Sequence, residues 1–173
     1  DVTVALGMRY GNPSIGEALE RLRRANAQRV LVLPLFPQYS ASTTASTFDA
    51  VAQRLREWRW LPELRFVNQY HDHPAYIEAL ANSIRDAWRG RERPQKLLFS
   101  FHGTPRRFLT EGDPYFCQCQ KTARLTAERL GLEDETWEVM FQSRFGREEW
   151  LKPYADERLK ELGLIDRIID EPL

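Results

Sequence analysis

The stretch "LLFSFHGTPRRF", residues 97–108, settles both the fold class and the place to look for chemistry. An apolar run leads through Ser100 and Phe101 into His102, and Gly103, Thr104 and Pro105 end it at once. A short apolar run stopped by Gly and Pro reads as a strand of a buried sheet, here Lys96 to Phe101. The imidazole of His102 then stands where that strand gives way to a turn. In open α/β sheets, ligands bind outside the carboxyl ends of the strands.

The same alternation runs outward in both directions. Upstream, Val2 to Met8 reads as a buried strand and Ser14 to Ala27 as an amphipathic helix, opened by a capping box of Ser14 and Glu17. Arg29 to Leu35 is a second apolar run, β-branched at Val30 and Val32 and stopped by Pro34 and Pro37. A polar bend follows, then a helix from about Thr44 to Trp58. Leu64 to Gln69 is a third strand, and Pro74 opens a helix to about Trp88. Downstream of His102, Phe116 to Leu130 is a helix stopped by Gly131. Thr136 to Gln142 is a fifth strand, and Asp156 to Leu162 a short helix ended by Gly163. Strands and helices at this spacing predict βαβ units: an α/β fold with a doubly wound parallel sheet and helices on both faces.

Composition sets limits. The 173 residues are 42% hydrophobic and 29% charged, with a formal net charge of zero. Zero net charge lends no support to a nucleic-acid binder. The cations are almost all Arg, which suits bidentate pairing with carboxylates and so an acidic ligand; solvated helix faces explain the bias equally well. Two cysteines are too few for a disulfide framework and suggest a reducing compartment. Val30 to Phe36, the longest apolar run, is far too short to span a bilayer. No signal-peptide pattern opens the chain. It starts at Asp1 without Met and enters an apolar run immediately, which reads as an edge inside a longer protein.

Parallel strands place their carboxyl ends along one rim. Five segments are expected there: Arg9 and Tyr10, Tyr39 to Thr44, Tyr70 to His73, His102, and Gln142 to Arg144. A neutral imidazole can accept a proton or offer a lone pair to a metal. Taken alone, His102 is equally a structural histidine bonded to backbone, and its strand-end place beside a Gly favours function. No G-x-S-x-G elbow, P-loop or G-x-G-x-x-G occurs. Cys117-x-Cys119 and His71-x-His73 each lack the second pair that would close a four-ligand site. The cysteines read as reduced thiols without a ligand, and His73 before Pro74 as a helix-entry residue or a ligand. Glu111 and Asp113 could support the imidazole, and "EGDP" is also good turn chemistry.

Five ordered motifs then carry a resemblance. "MRYGNPS" (8–14), "LPLFPQYSASTTAS" (33–46), "SFHGTP" (100–105), "EGDPYF" (111–116) and "FQSRFGREEWLKPY" (141–154) resemble the ferrochelatases, the haem-synthesis enzymes that insert Fe2+ into a porphyrin, in their proteobacterial form. The resemblance implies a chelatase-like three-layer αβα fold, with two similar α/β domains flanking a porphyrin cleft. It divides the chain into 1–90, the end of a first domain and the crossover region; 91–163, most of a second; and 164–173, an atypical tail. It makes His102 the catalytic residue, as metal ligand, acceptor of pyrrole protons, or both. It assigns Arg9, Tyr10, Tyr39, Ser42, Thr43, Tyr70, Gln142 and Ser143 to porphyrin binding.

The implied partners are protoporphyrin IX and Fe2+, with no nucleic acid, in a cytoplasmic protein. An apolar porphyrin product is compatible with peripheral membrane association. No cofactor is required beyond the substrate Fe2+, and two cysteines argue against the iron–sulfur cluster of some relatives. The family's second essential acid, a Glu after a later strand, has no counterpart in residues 164–173, where Glu171 stands in the wrong context. The chain alone is therefore expected to be inactive or nearly so. The alternatives are a chelatase for another metal and tetrapyrrole, a non-catalytic porphyrin- or haem-binding module, and a piece of scaffold that folds only with its missing half.

Overall fold

Local signals dictate most of the elements in the structure, a computed structural model that describes residues 2–164. Residues 165–173, with most of the expected tail and Glu171, lie outside the described residues. The chain forms two compact units, one up to Tyr70 and one from His71 onward.

In the first unit, helix α1 (Ile15–Arg24) starts where the capping box places it. The Ser14 N–H donates to Glu17 Oε2 at 2.6 Å and the Glu17 N–H to Ser14 Oγ at 3.2 Å. Strands β1 (Arg29–Val32) and β2 (Glu63–Phe66) pair in parallel, Val30 opposite Leu64. The connection between them passes through helix α2 (Ser46–Leu55). Leu19, Val51 and Leu55 form the core, with Ile15, Val32, Trp58 and Leu64 packed around them. Just before α2, Ala41–Ala45 is a π-helical turn in place of the expected bend, with the Ala45 N–H reaching back five residues to the Ser40 carbonyl at 3.3 Å.

Two expectations are corrected here. Val2–Gly7 runs without a ladder, and Val2, Val4 and Leu6 are 90%, 77% and 60% exposed. An apolar run becomes a strand only where another strand offers hydrogen bonds, and none does so for this one among the described residues. The second strand also stops at Val32 rather than Leu35, because β2 reaches only to Phe66 opposite it.

In the second unit, strands β3 (Leu97–His102) and β4 (Trp137–Gln142) pair in parallel over their full lengths, Leu97 opposite Trp137 and His102 opposite Gln142. The crossover carries the short α4 (Arg106–Thr110), absent from the sequence reading, and the long α5 (Tyr115–Leu130), closed by Gly131 at φ 65°. A fifteen-residue helix, α3 (Pro74–Trp88), packs on α5 with Ala81 fully buried and Glu78 paired with Arg129, and α6 (Ala155–Glu161) packs against β4. Cys119, Ala123, Val139, Phe141 and Leu151 form the core, with the Phe116 ring stacked on Phe141 at 5.6 Å between centroids. Among the described residues both strand pairs are parallel and joined through helices, as in an α/β fold.

Candidate active site

β3 ends on His102, and the backbone around it is pinned from two sides. The Gly103 N–H donates to the Gln142 carbonyl at 2.8 Å, the last rung of the β3–β4 ladder. A trans peptide aims its N–H and C=O in opposite directions. The carbonyl of His102, in the same peptide unit, therefore points away from β4. There it accepts a hydrogen bond from the Tyr115 hydroxyl at 3.0 Å, from the first residue of α5. The His102 side chain is exposed, and among the described residues no hydrogen bond or ion pair engages its ring. Beside it, Gln142 is exposed, and Ser143 turns out of the strand at φ 67°, a left-handed conformation unusual for a residue other than Gly.

The segment after His102 is strapped down. The Leu151 N–H donates to the Thr104 carbonyl at 3.0 Å and the Arg106 N–H to the Glu149 carbonyl at 2.8 Å. Ion pairs Arg106–Glu149 and Arg107–Glu148 add to the same contact. Gly103 is buried beneath this strap: a Cβ there would lie 3.0 Å from the Gln142 carbonyl oxygen and 3.2 Å from Cε3 of Trp150. The Trp150 indole is itself fixed by its Nε1–H donating to the Phe145 carbonyl at 3.0 Å.

Tyr115 is held in turn. Its N–H donates to Asp113 Oδ1 at 3.0 Å, so Asp113 serves the start of α5. Its hydroxyl meets the Cys119 thiol one helical turn along. Burial pushes the Tyr115 phenol well above its usual range and the Cys119 thiol up to about 12, so both stay protonated at neutral pH.

A second group of candidates gathers in the first unit. Arg9 Nε donates to the Ser46 carbonyl at 3.1 Å and to Ser46 Oγ at 2.9 Å, and the Arg9 guanidinium lies 4.7 Å from the centre of the Tyr10 ring. The Tyr10 hydroxyl stands 3.4 Å from the same Ser46 Oγ. Ser42 and Thr43 lie on the π-helical turn that Ser46 follows, with Ser42 Oγ 3.1 Å from Ser40 Oγ and the Thr43 N–H donating to the Ser40 carbonyl at 3.1 Å. Tyr39 precedes that turn, half-buried. The Tyr70 N–H donates to the Pro37 carbonyl at 3.0 Å, which brings Tyr70 to the same loop, and burial raises its phenol above the usual range.

Similarity to known proteins now joins this geometry. The family model described as Ferrochelatase matches residues 1–168. The chain belongs to the ferrochelatase family. It is 65% identical over 159 residues to the ferrochelatase of Nitrosococcus oceani, covering 92% of this chain and 43% of that protein. It is 58% identical over 161 residues to the ferrochelatase of Hydrogenovibrio crunogenus, covering 93% and 43%, and 59% over 162 residues to that of Thioalkalivibrio sulfidiphilus, covering 94% and 44%. The chain thus spans less than half the length of the curated relatives it matches.

Within this ferrochelatase-family chain, the weaker sequence signals resolve into structure. His73 caps α3, its Nδ1 accepting the Ala75 N–H at 3.2 Å. His71 is buried, and burial holds its imidazole below the usual range. Cys119 is buried while Cys117, two residues away on the helix, is exposed, so the pair does not share a face. The concavity lined by Lys152, Pro153, Tyr154, Glu157, Arg158 and Glu161 contains none of the candidate residues. Sequence reasoning quoted Tyr115 inside a motif and gave it no role. Its one local signal is a place at a helix start after Asp-Pro, and the contact with His102 spans 13 residues.

Proposed function

We propose that the protein carrying this chain is a ferrochelatase that inserts Fe2+ into protoporphyrin IX, with His102 as the group that meets the metal or takes a pyrrole proton. The observation that carries this is an exposed, unengaged imidazole held on a rigid strand end, in a chain of the ferrochelatase family. Insertion of a dication into a planar macrocycle requires the ring to bend, so that nitrogen lone pairs face the metal. Two pyrrole protons must also leave. A neutral imidazole can accept a proton or hold the incoming ion, and its fixed backbone keeps it in reach without reorganisation.

The remaining candidates divide by chemistry. Tyr10, Tyr39 and Tyr70 offer aromatic faces to a flat apolar ring, and Arg9 a guanidinium for a propionate. Ser42 and Thr43 offer hydroxyls from a turn, while Gln142 and Ser143 flank His102. Fe2+ is a substrate in this reading, and no resident cofactor is invoked. No helix among the described residues is long and apolar enough to cross a membrane.

The test is porphyrin metallation followed by absorbance, with Zn2+ standing in for Fe2+. A full-length chimera, in which this segment replaces its counterpart in the Nitrosococcus oceani relative, is compared with its His102→Ala form. Turnover that falls at least a hundredfold in the variant, with porphyrin binding intact, is the expected result. Turnover unchanged by the substitution would overturn the role of His102. Tight porphyrin binding with no turnover in either form would leave a binding module.

A further inference from the structure

The peptide unit between His102 and Gly103 is fixed at both ends by different elements. β4 takes the N–H through the Gln142 carbonyl at 2.8 Å. α5 takes the C=O through the Tyr115 hydroxyl at 3.0 Å. That peptide plane sets the ψ angle of His102, and with it the direction in which the imidazole leaves the backbone. β3 pairs only with β4 among the described residues, so on its other edge the phenol is what engages this carbonyl. The hydroxyl is a poor choice for mere core filling, because a Phe would serve the apolar contacts equally well.

We propose that Tyr115 is a positioning residue for His102: its hydroxyl, oriented by the Cys119 thiol, fixes the direction of the imidazole. This deepens the ferrochelatase reading and rests on it for its consequence in turnover. The geometry itself does not depend on that reading. The phenol lies one turn from Cys119, whose thiol shares a hydrogen bond with it, while Asp113 holds the Tyr115 N–H and so the start of the helix. Two contacts meet at the phenol oxygen, the Cys119 thiol and a carbonyl 13 residues away, while the third fixes the backbone from which the side chain leaves. The phenol touches neither metal nor porphyrin in this account; it acts through His102 alone.

The test uses the imidazole signals of this chain, which has three histidines, so the ring C–H resonances of His71, His73 and His102 can be told apart by single substitutions. In Tyr115→Phe the His102 signals are expected to shift and broaden as the ring samples more than one rotamer, with His73 unmoved. In the chimera described above, the same change is expected to lower kcat for metallation about tenfold with the KM for porphyrin unchanged, the size of one lost hydrogen bond. A folded Tyr115→Phe whose His102 signals superimpose on the native ones would overturn the proposal. So would a loss confined to KM. Should Tyr115→Phe not fold, Cys119→Ala decides: a smaller shift of His102 supports the proposal, and an unchanged signal overturns it. A chimera without any turnover would sink the ferrochelatase reading, and the signals of His102 would still judge the positioning role.

Discussion

Gly103→Ala places a methyl where the structure leaves no room for one. The added Cβ would stand 3.0 Å from the Gln142 carbonyl oxygen and 3.2 Å from Trp150 Cε3. Neither neighbour yields easily. The Gln142 oxygen accepts the Gly103 N–H at 2.8 Å, so moving it away stretches the last rung of the ladder. Trp150 is anchored through its indole N–H to the Phe145 carbonyl, and its ring packs on Phe145 with centroids 4.8 Å apart. At a site with space, alanine in place of glycine would stabilise by about 0.4–1 kcal/mol through a less flexible unfolded chain. Overpacking costs about 1–3 kcal/mol, so the net expectation is a loss of roughly 1–2 kcal/mol. For a unit of this size that is a fall in Tm of about 4–16 °C. Urea unfolding of the purified variant, followed by tryptophan fluorescence, measures it. A variant as stable as the native chain, or more so, would show that the strap over Gly103 can shift and that the glycine is not there for want of space.

Two further expectations follow from local chemistry. Glu138 receives Arg158 in two bonds, at 2.8 and 3.0 Å, and Lys96 at 3.4 Å, and the Arg158 bonds above all hold its carboxyl below the ordinary 4.5. A carboxyl depressed in the folded state contributes stability that is complete above its unfolded value and is lost as pH falls through its folded one. Glu138→Gln should therefore cost about 1–3 kcal/mol at pH 7, a gap that closes below about pH 4.5 in urea titrations across pH; a gap independent of pH would refute this assignment. Ser14→Ala removes one half of the capping box on α1 and should cost about 1 kcal/mol by thermal melt, with an unchanged melting curve as the refuting result.

Much of the fold was legible because its signals are local. Ser14 and Glu17 meet within one helical turn, and Gly131 stops α5 by a φ of 65° that favours a residue without a side chain. The strands near residues 30, 64, 97 and 137 declare themselves by apolar runs cut by turn residues. Val2–Gly7 declares itself in the same way and forms no strand, because pairing needs an edge that a run of six residues cannot supply for itself. The π-helical turn at Ala41–Ala45 was legible only as polar residues; its backbone depends on Ser40 and Ser46 at its two ends. α4 is too short for any periodicity to announce it.

The candidate site divides along the same line. The sequence by itself determined that the chain carries ferrochelatase motifs and that His102 ends a strand beside a glycine, since both are statements about neighbours in the chain. Only the tertiary structure decided what holds that histidine. The Tyr115 hydroxyl, the Gln142 carbonyl and the Trp150 ring come from a helix, a parallel strand and a strap 13 to 48 positions away. Their meeting depends on how α5 and β4 pack around the Phe141 core, and no local preference of residues 97–108 encodes it.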